Sequence, residues 1–212
     1  MKAKTEVREM LNKGYEVMKE RLMMQVINTK GNEKLLSDVP HMDFADLSLV
    51  YRFVFDTEPL QTCVVTNGLM HGYGITHEQL HIDALKSSIN NFPITIKSLE
   101  EMLFGSCPDS NPRLYIATIK GFTYGASCLC YPDFFERVAE VMKGSFYILP
   151  SSIHEVMLAL ADPDDLADLN EATKYLKDIV QTVNRTEVAP EEKLSDSVYY
   201  YDAKNKTFKI CC

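Results

Sequence analysis

Residues 77–81 read His77-Glu78-Gln79-Leu80-His81, two histidines four positions apart with a glutamate between them. On a helix this spacing projects both imidazoles to one side, and the glutamate can activate a metal-bound water, the arrangement used by zinc peptidases. The same residues also read as an ordinary helix start. Thr76 and Gln79 form a T-x-x-Q capping box, and Ile75 and Leu80 are spaced for a hydrophobic staple, which makes His77 the first helical residue. Both imidazoles would then sit at the positive end of the helix, which disfavours a dication by about 0.3–1 kcal/mol per unit charge. That is small beside the roughly 10–16 kcal/mol released by structural zinc. A third ligand must decide. Glu101 lies at a plausible downstream distance, but Ser98-Leu99-Glu100-Glu101 is itself an S-x-x-E capping box. His71 precedes two glycines with no supporting spacing rule, and Asp83 puts a charge where peptidase helices are apolar. The reading favoured is no metal and no cofactor, with His77, His81 and Glu101 as the alternative metal set.

A second candidate lies at Ser152 and His154, two apart and on one side of a strand, with Asp196 available for a triad. Ser152 lacks the G-x-S-x-G elbow that would expose its hydroxyl, and Pro150-Ser151-Ser152 suits turn chemistry equally well. The acidic run Asp162, Asp164, Asp165, Asp168 departs from a calcium loop, because Ala167 replaces the required glycine and Thr173 the bidentate glutamate. "GFTYG" carries two glycines at the wrong spacing for a dinucleotide loop. Tyr199, Tyr200 and Tyr201 alternate faces of a strand and read as half-buried sheet.

Composition narrows the function classes. Of 212 residues, 46% are hydrophobic, enough for a core, and 22 Lys and Arg against 30 Asp and Glu give a formal charge of -8. No basic stripe tracks a phosphate backbone, so nucleic acid is not expected as a partner. No apolar run approaches the roughly 20 residues that span a bilayer, and MKAKTEVREM lacks the apolar core of a secretory signal, so no membrane partner and a cytoplasmic location are expected. Six cysteines, at 63, 107, 128, 130, 211 and 212, fit neither a disulfide framework nor paired zinc knuckles and are read as reduced thiols.

These candidates require elements to hold them. Val7, Met10, Leu11, Val17, Met18 and Leu22 predict one amphipathic helix over about 4–21. "LSLVYRFVF" and "TCVVT" predict an antiparallel hairpin, followed by the helix bearing HEQLH, a strand at "PITIK" and a short helix at "LEEMLF". "RLYIATI" and "GASCLCY" read as strands, with Cys128 and Cys130 on one side of the second. "DFFERVAEVM" reads as a helix and "SFYILPSSIHEVMLALAD" as two strands about Pro150-Ser151-Ser152. Asp162-Pro163 opens a further helix carrying Leu166, Leu169, Leu176, Ile179, Val180 and Val183, and "SVYYYDAKNKTFKI" closes as a hairpin turning at 203–206. The pattern predicts α+β architecture, a mixed, mainly antiparallel sheet or sheets with packed helices. It is expected as a single domain over 1–212, with any division into lobes at the "CPDSNP" break, 107–112.

"VINTKGNEKLLSDVPHMDF", "VVTNGLMHGYGIT", "FYILPSSIHEVMLAL" and "VNRTEVAPEEKLSDSVYYYD" resemble the bacterial family catalogued as domain of unknown function 5688. The similarity runs from about residue 22 to near the C-terminus, and the last two blocks are the most specific. The resemblance brings no activity, cofactor or catalytic residue. Its implication for HEQLH is negative: similar sequences carry acidic or polar residues after Gly-Ile-Thr, so His77 and His81 look like local substitutions on a capped helix. The polar members of the specific blocks, Ser151, Ser152, His154, Glu155, Asn184, Glu191, Glu192, Ser195 and Asp196, form a candidate surface, with turn and cap chemistry as the plainer account. The expected function is a binding or accessory, regulatory role through protein-protein contacts, self-association included. The alternative is a hydrolase, zinc-dependent through HEQLH or of serine type near Ser152 and His154.

Overall fold

A computed structural model describes residues 2–57, 59–105, 112–162 and 169–211. The chain divides into two compact units, Met1–Pro93 and Ile94–Cys212. Residues 106–111, most of the segment at which any lobes were expected to divide, fall outside the described residues.

The first unit begins with α1 (Lys2–Leu11) and the short α2 (Tyr15–Met18). The single helix expected over 4–21 is thus two. Gly14 separates them at φ 88, a left-handed value that ends one helix and redirects the chain into the next. The strands follow as β1 (Leu22–Asn28), β2 (His41–Phe44), β3 (Leu47–Thr57) and β4 (Leu60–Val64), with α3 (Glu33–Leu36) between the first two and α4 (Asn67–Gly72) after the last. β3 is central: β1 lies along one edge, while β2 and β4 share the other in succession, all antiparallel. α5 (His77–Asn91) packs along β1, turning Leu80, Ala84, Ser87 and Ser88 inward. Ser88 Oγ accepts the Met24 N–H at 3.0 Å, so the helix supplies an edge strand with a partner that a further strand would otherwise give.

The second unit holds β5 (Ile94–Ser98), α6 (Leu99–Phe104), β6 (Leu114–Ile119), α7 (Phe134–Met142), β7 (Phe146–Leu149), β8 (Val156–Leu160), α8 (Leu169–Thr186), β9 (Val198–Asp202) and β10 (Thr207–Cys211). Its described strands form one antiparallel sheet in the order β10-β9-β7-β8-β6-β5. Tyr199, Tyr200 and Tyr201 are all buried rather than half-buried, because both faces of β9 are covered. Tyr200 packs with Tyr147, Val198 and Val180 of α8, while the Tyr201 ring stacks on Phe135 of α7 at 5.1 Å. The closing hairpin turns where expected, with Asp202 Oδ1 accepting the N–H groups of Lys204 and Asn205. The antiparallel sheets with packed helices are the α+β architecture read from the sequence pattern.

One element differs in kind. Residues 125–130, "GASCLC", are not a strand but a tight helical turn, Gly125–Cys130. The reason is local crowding. Gly125 passes so close beneath Thr118 and the His154 carbonyl that a Cβ there would collide with both Thr118 Oγ1 and His154 O. The chain reaches this point through Gly121, Phe122 and Tyr124, all at positive φ, which turns it off the sheet instead of along it. Cys128 and Cys130 therefore do not share a strand face; burial pushes both thiols up, Cys130 to about 12. The helix opening at Asp162-Pro163, with Leu166, lies largely outside the described residues.

Gly125→Ala tests this crowding directly. The added methyl must displace Thr118 or the 150–155 backbone, so urea denaturation should show the second unit destabilised by about 2–4 kcal/mol. A stability within about 0.5 kcal/mol of wild type would show that the space is not closed.

Candidate functional site

The two most specific sequence blocks meet in the second unit. Between β7 and β8 the chain runs through 150–155; between α8 and β9 it runs through 187–197. These connections lie antiparallel and are laced by backbone bonds. Ile153 N–H donates to Glu192 O at 2.9 Å, Leu194 N–H to Ser151 O at 3.0 Å, and Ser195 N–H to Pro150 O at 2.9 Å. Ser152 faces Lys193 as an isolated antiparallel bridge. Seven of the nine candidate surface residues take part in this lacing or in side-chain bonds around it; Glu155 is half-buried just before β8, and Glu191 is exposed.

His154 sits at the centre. Its Nε2 lies 3.2 Å from Glu192 Oε1, and its Nδ1 accepts the Tyr124 N–H at 3.4 Å. An Nδ1 that accepts carries no proton, so the geometry requires the tautomer with hydrogen on Nε2, donated to the glutamate. The imidazole also stacks on the Tyr124 ring at 6.1 Å and 16°. The His154 main chain is held as firmly: its N–H donates to Ser152 Oγ at 3.1 Å, and its carbonyl accepts the Thr118 hydroxyl at 2.8 Å.

Beside it, Asn184 reaches from the end of α8 to fix the other connection. Its Nδ2 donates to Ser195 O at 2.7 Å and to Asp196 Oδ1 at 2.8 Å. Lys193 Nζ donates to Asp196 Oδ2 at 2.6 Å, and Ser195 Oγ accepts the Ser197 N–H at 2.8 Å. Burial alone would raise the Asp196 carboxyl. The hydrogen bonds of Lys193 and Asn184, and the charges of Lys193 and Lys177, outweigh it and hold the group below the usual carboxylate range.

The serine-hydrolase arrangement considered from the sequence does not assemble from these bonds. Ser152 Oγ binds the His154 main chain rather than its ring, and Asp196 binds Asn184 and Lys193 rather than the imidazole. The acid that reaches the ring is Glu192, and the far ring nitrogen is already committed to Tyr124. A relay needs a nucleophile on the imidazole and an orienting acid behind it.

In the first unit the HEQLH residues form the capped helix start expected of them, with Thr76 Oγ1 accepting the Gln79 N–H at 3.1 Å. Both imidazoles meet a side chain that sequence spacing did not identify. Tyr51 of β3 places its hydroxyl 3.3 Å from His77 Nε2 and 3.0 Å from His81 Nδ1. Burial lowers the pKa of both histidines, with a further contribution from His41 at His77 and from His77 at His81. Glu101 belongs to the second unit, where Ser98 Oγ accepts its N–H at 3.0 Å and its carboxylate lies 3.2 Å from Lys97 Nζ. Among the described residues, no three His, Cys, Asp or Glu side chains are grouped to hold a metal. Asp162 pairs with Arg113 at 2.7 Å, while Asp164, Asp165 and Asp168 lie outside the described residues.

Tyr124, Thr118, Gly125 and Lys193 complete the laced site, and the sequence reading passed over them. The usable signal was "GFTYG": two glycines around aromatics mark a turn even where no dinucleotide can bind. Together these features define a two-unit α+β protein whose second unit carries a tightly bonded surface of two connecting segments. The chain belongs to the family of unknown function DUF5688, whose model matches residues 1–203. No curated protein and no solved structure matches it. Among the described residues, no helix is long and apolar enough to cross a membrane.

Two outcomes follow for the Asn184 and Asp196 contacts. Asn184→Ala strips donors from a buried carbonyl and a carboxylate and should lower second-unit stability by about 1–3 kcal/mol in urea. Because the folded Asp196 carboxyl titrates below its unfolded value of about 3.9, its contribution is complete above about pH 4 and is lost as pH falls through the folded value. Urea midpoints measured down to about pH 2.5 should therefore fall less steeply for Asp196→Asn than for wild type. An identical acid limb in both proteins would contradict the assignment.

Proposed function

We propose that the protein is a non-catalytic binding factor that works through contact with another protein, using the laced surface of the second unit, and that it does so in the cytoplasm. The observation that carries this reading is the commitment of the surface's reactive groups. Ser152, His154, Ser195 and Asp196 each hold a neighbouring protein group in place, so their chemistry is spent on shape. What that framework presents is an aromatic side chain. Phe122 is 54% exposed on a turn where Gly121, Phe122 and Tyr124 all hold positive φ. Such backbone strain persists only where surrounding bonds enforce it, and it concentrates at functional positions. Here the Tyr124 N–H on His154 and the wedged Gly125 enforce it. A rigid, exposed aromatic loses little entropy on docking and is typical of the residues that dominate protein interfaces. Cys63, Cys128 and Cys130 are free thiols, which suits a reducing compartment.

A photoreactive amino acid at position 122, crosslinked in living cells, tests the reading. It predicts one discrete protein adduct, and with that partner purified, Phe122→Ala should weaken binding by about 2 kcal/mol, roughly thirtyfold. No adduct at 122, together with a hydrolytic turnover abolished by His154→Ala, would replace this reading with the enzymatic one.

A further inference from the structure

The first unit carries an arrangement that the proposed binding role does not use. His77 and His81 stand one turn apart on α5 and both aim at one oxygen, the Tyr51 hydroxyl. A phenol has a single hydrogen, so it donates to one imidazole and accepts from the other, which sets one donor nitrogen of each ring against the same oxygen. The separations are the informative quantity. A tetrahedral cation with bonds of about 2.0–2.1 Å sets its ligand atoms about 3.3 Å apart along each edge. The two nitrogen-oxygen distances are 3.3 and 3.0 Å.

We propose that Tyr51, His77 and His81 form a binding site for a divalent transition cation of the zinc type, with water completing the coordination. Imidazole nitrogens and a phenolate suit such a borderline cation better than magnesium or calcium. Binding requires bare nitrogens, and burial disfavours the charged forms of both rings. One imidazole shifts its proton to the other ring nitrogen, and the phenol proton leaves to solvent, so one proton is released per cation bound. The Tyr51 ring is buried and held edge-on to both imidazoles, at 5.8 and 6.1 Å, which fixes the oxygen in advance. The half-exposed imidazoles leave a route from solvent. His41 lies near enough to influence His77, but its Nδ1 is bonded to Val39 O at 3.0 Å and it is not assigned as a ligand. Glu78, between the histidines, is exposed.

The test is zinc titration of the full chain after chelator treatment, followed by calorimetry and by ultraviolet difference absorption of tyrosinate. The proposal expects one zinc bound, one proton released and a tyrosinate signal. His77→Ala and His81→Ala should each weaken binding at least about tenfold while keeping the folded far-ultraviolet circular dichroism without metal. Tyr51→Phe, which retains the ring, should abolish the tyrosinate signal and also weaken binding. A Cys211→Ser, Cys212→Ser double variant should bind as wild type. Failure to bind at about 100 μM zinc, affinity unchanged in the histidine variants, a tyrosinate signal surviving in Tyr51→Phe, or binding lost with the terminal thiols would each overturn the proposal.

Discussion

Three backbone hydrogen bonds between 150–153 and 192–195 hold the second unit's surface together, and its other contacts depend on them. They are bonds between connections, not between regular strands, and connections seldom satisfy one another in this way. Once Ile153, Leu194 and Ser195 are fixed, the His154 ring falls against Glu192, its carbonyl receives Thr118, and Ser195 offers its carbonyl to Asn184. The bonds thus turn two loops into a platform with the rigidity of sheet. The buried tyrosines of β9 lie immediately after it, so the platform is anchored in the core on that side.

The same lacing explains why the neighbouring turn takes its costly shape. Gly125 can pass beneath His154 O only because it has no side chain, and Tyr124 must enter the left-handed region to bring its N–H to the imidazole. Strain of this kind costs on the order of 1–3 kcal/mol per residue and persists only when its surroundings fix it. A catalytic imidazole needs a free nitrogen and a nearby nucleophile, whereas this one is bonded at both nitrogens. In the first unit the logic differs, since two imidazoles share one phenol.

What the sequence made legible was local. Thr76 and Ser98 were readable as caps because the cap oxygen and the N–H that donates to it lie three residues apart. The closing hairpin and the β3–β4 pair were readable from alternation and turn residues. The grouping of Ser151, Ser152 and His154 with Asn184 and Glu192 came from the family-like blocks, not from periodicity. What stayed hidden was long-range. Residues 125–130 have the apolar content of a strand, and only the approach of Thr118 and His154 forbids it. Tyr51 is 26 residues from His77, so no motif could link them. The split of the first helix at Gly14 was visible as a glycine but was overridden by the apolar spacing on either side.

Amide hydrogen exchange at Ile153, Leu194 and Ser195 tests the central claim most directly, because these three N–H groups are the lacing itself. If the connections form one rigid platform, all three should be protected to the level of the β7 and β8 amides and should lose that protection together on Asn184→Ala. Exchange at the rate of an open loop, at even two of the three, would contradict it.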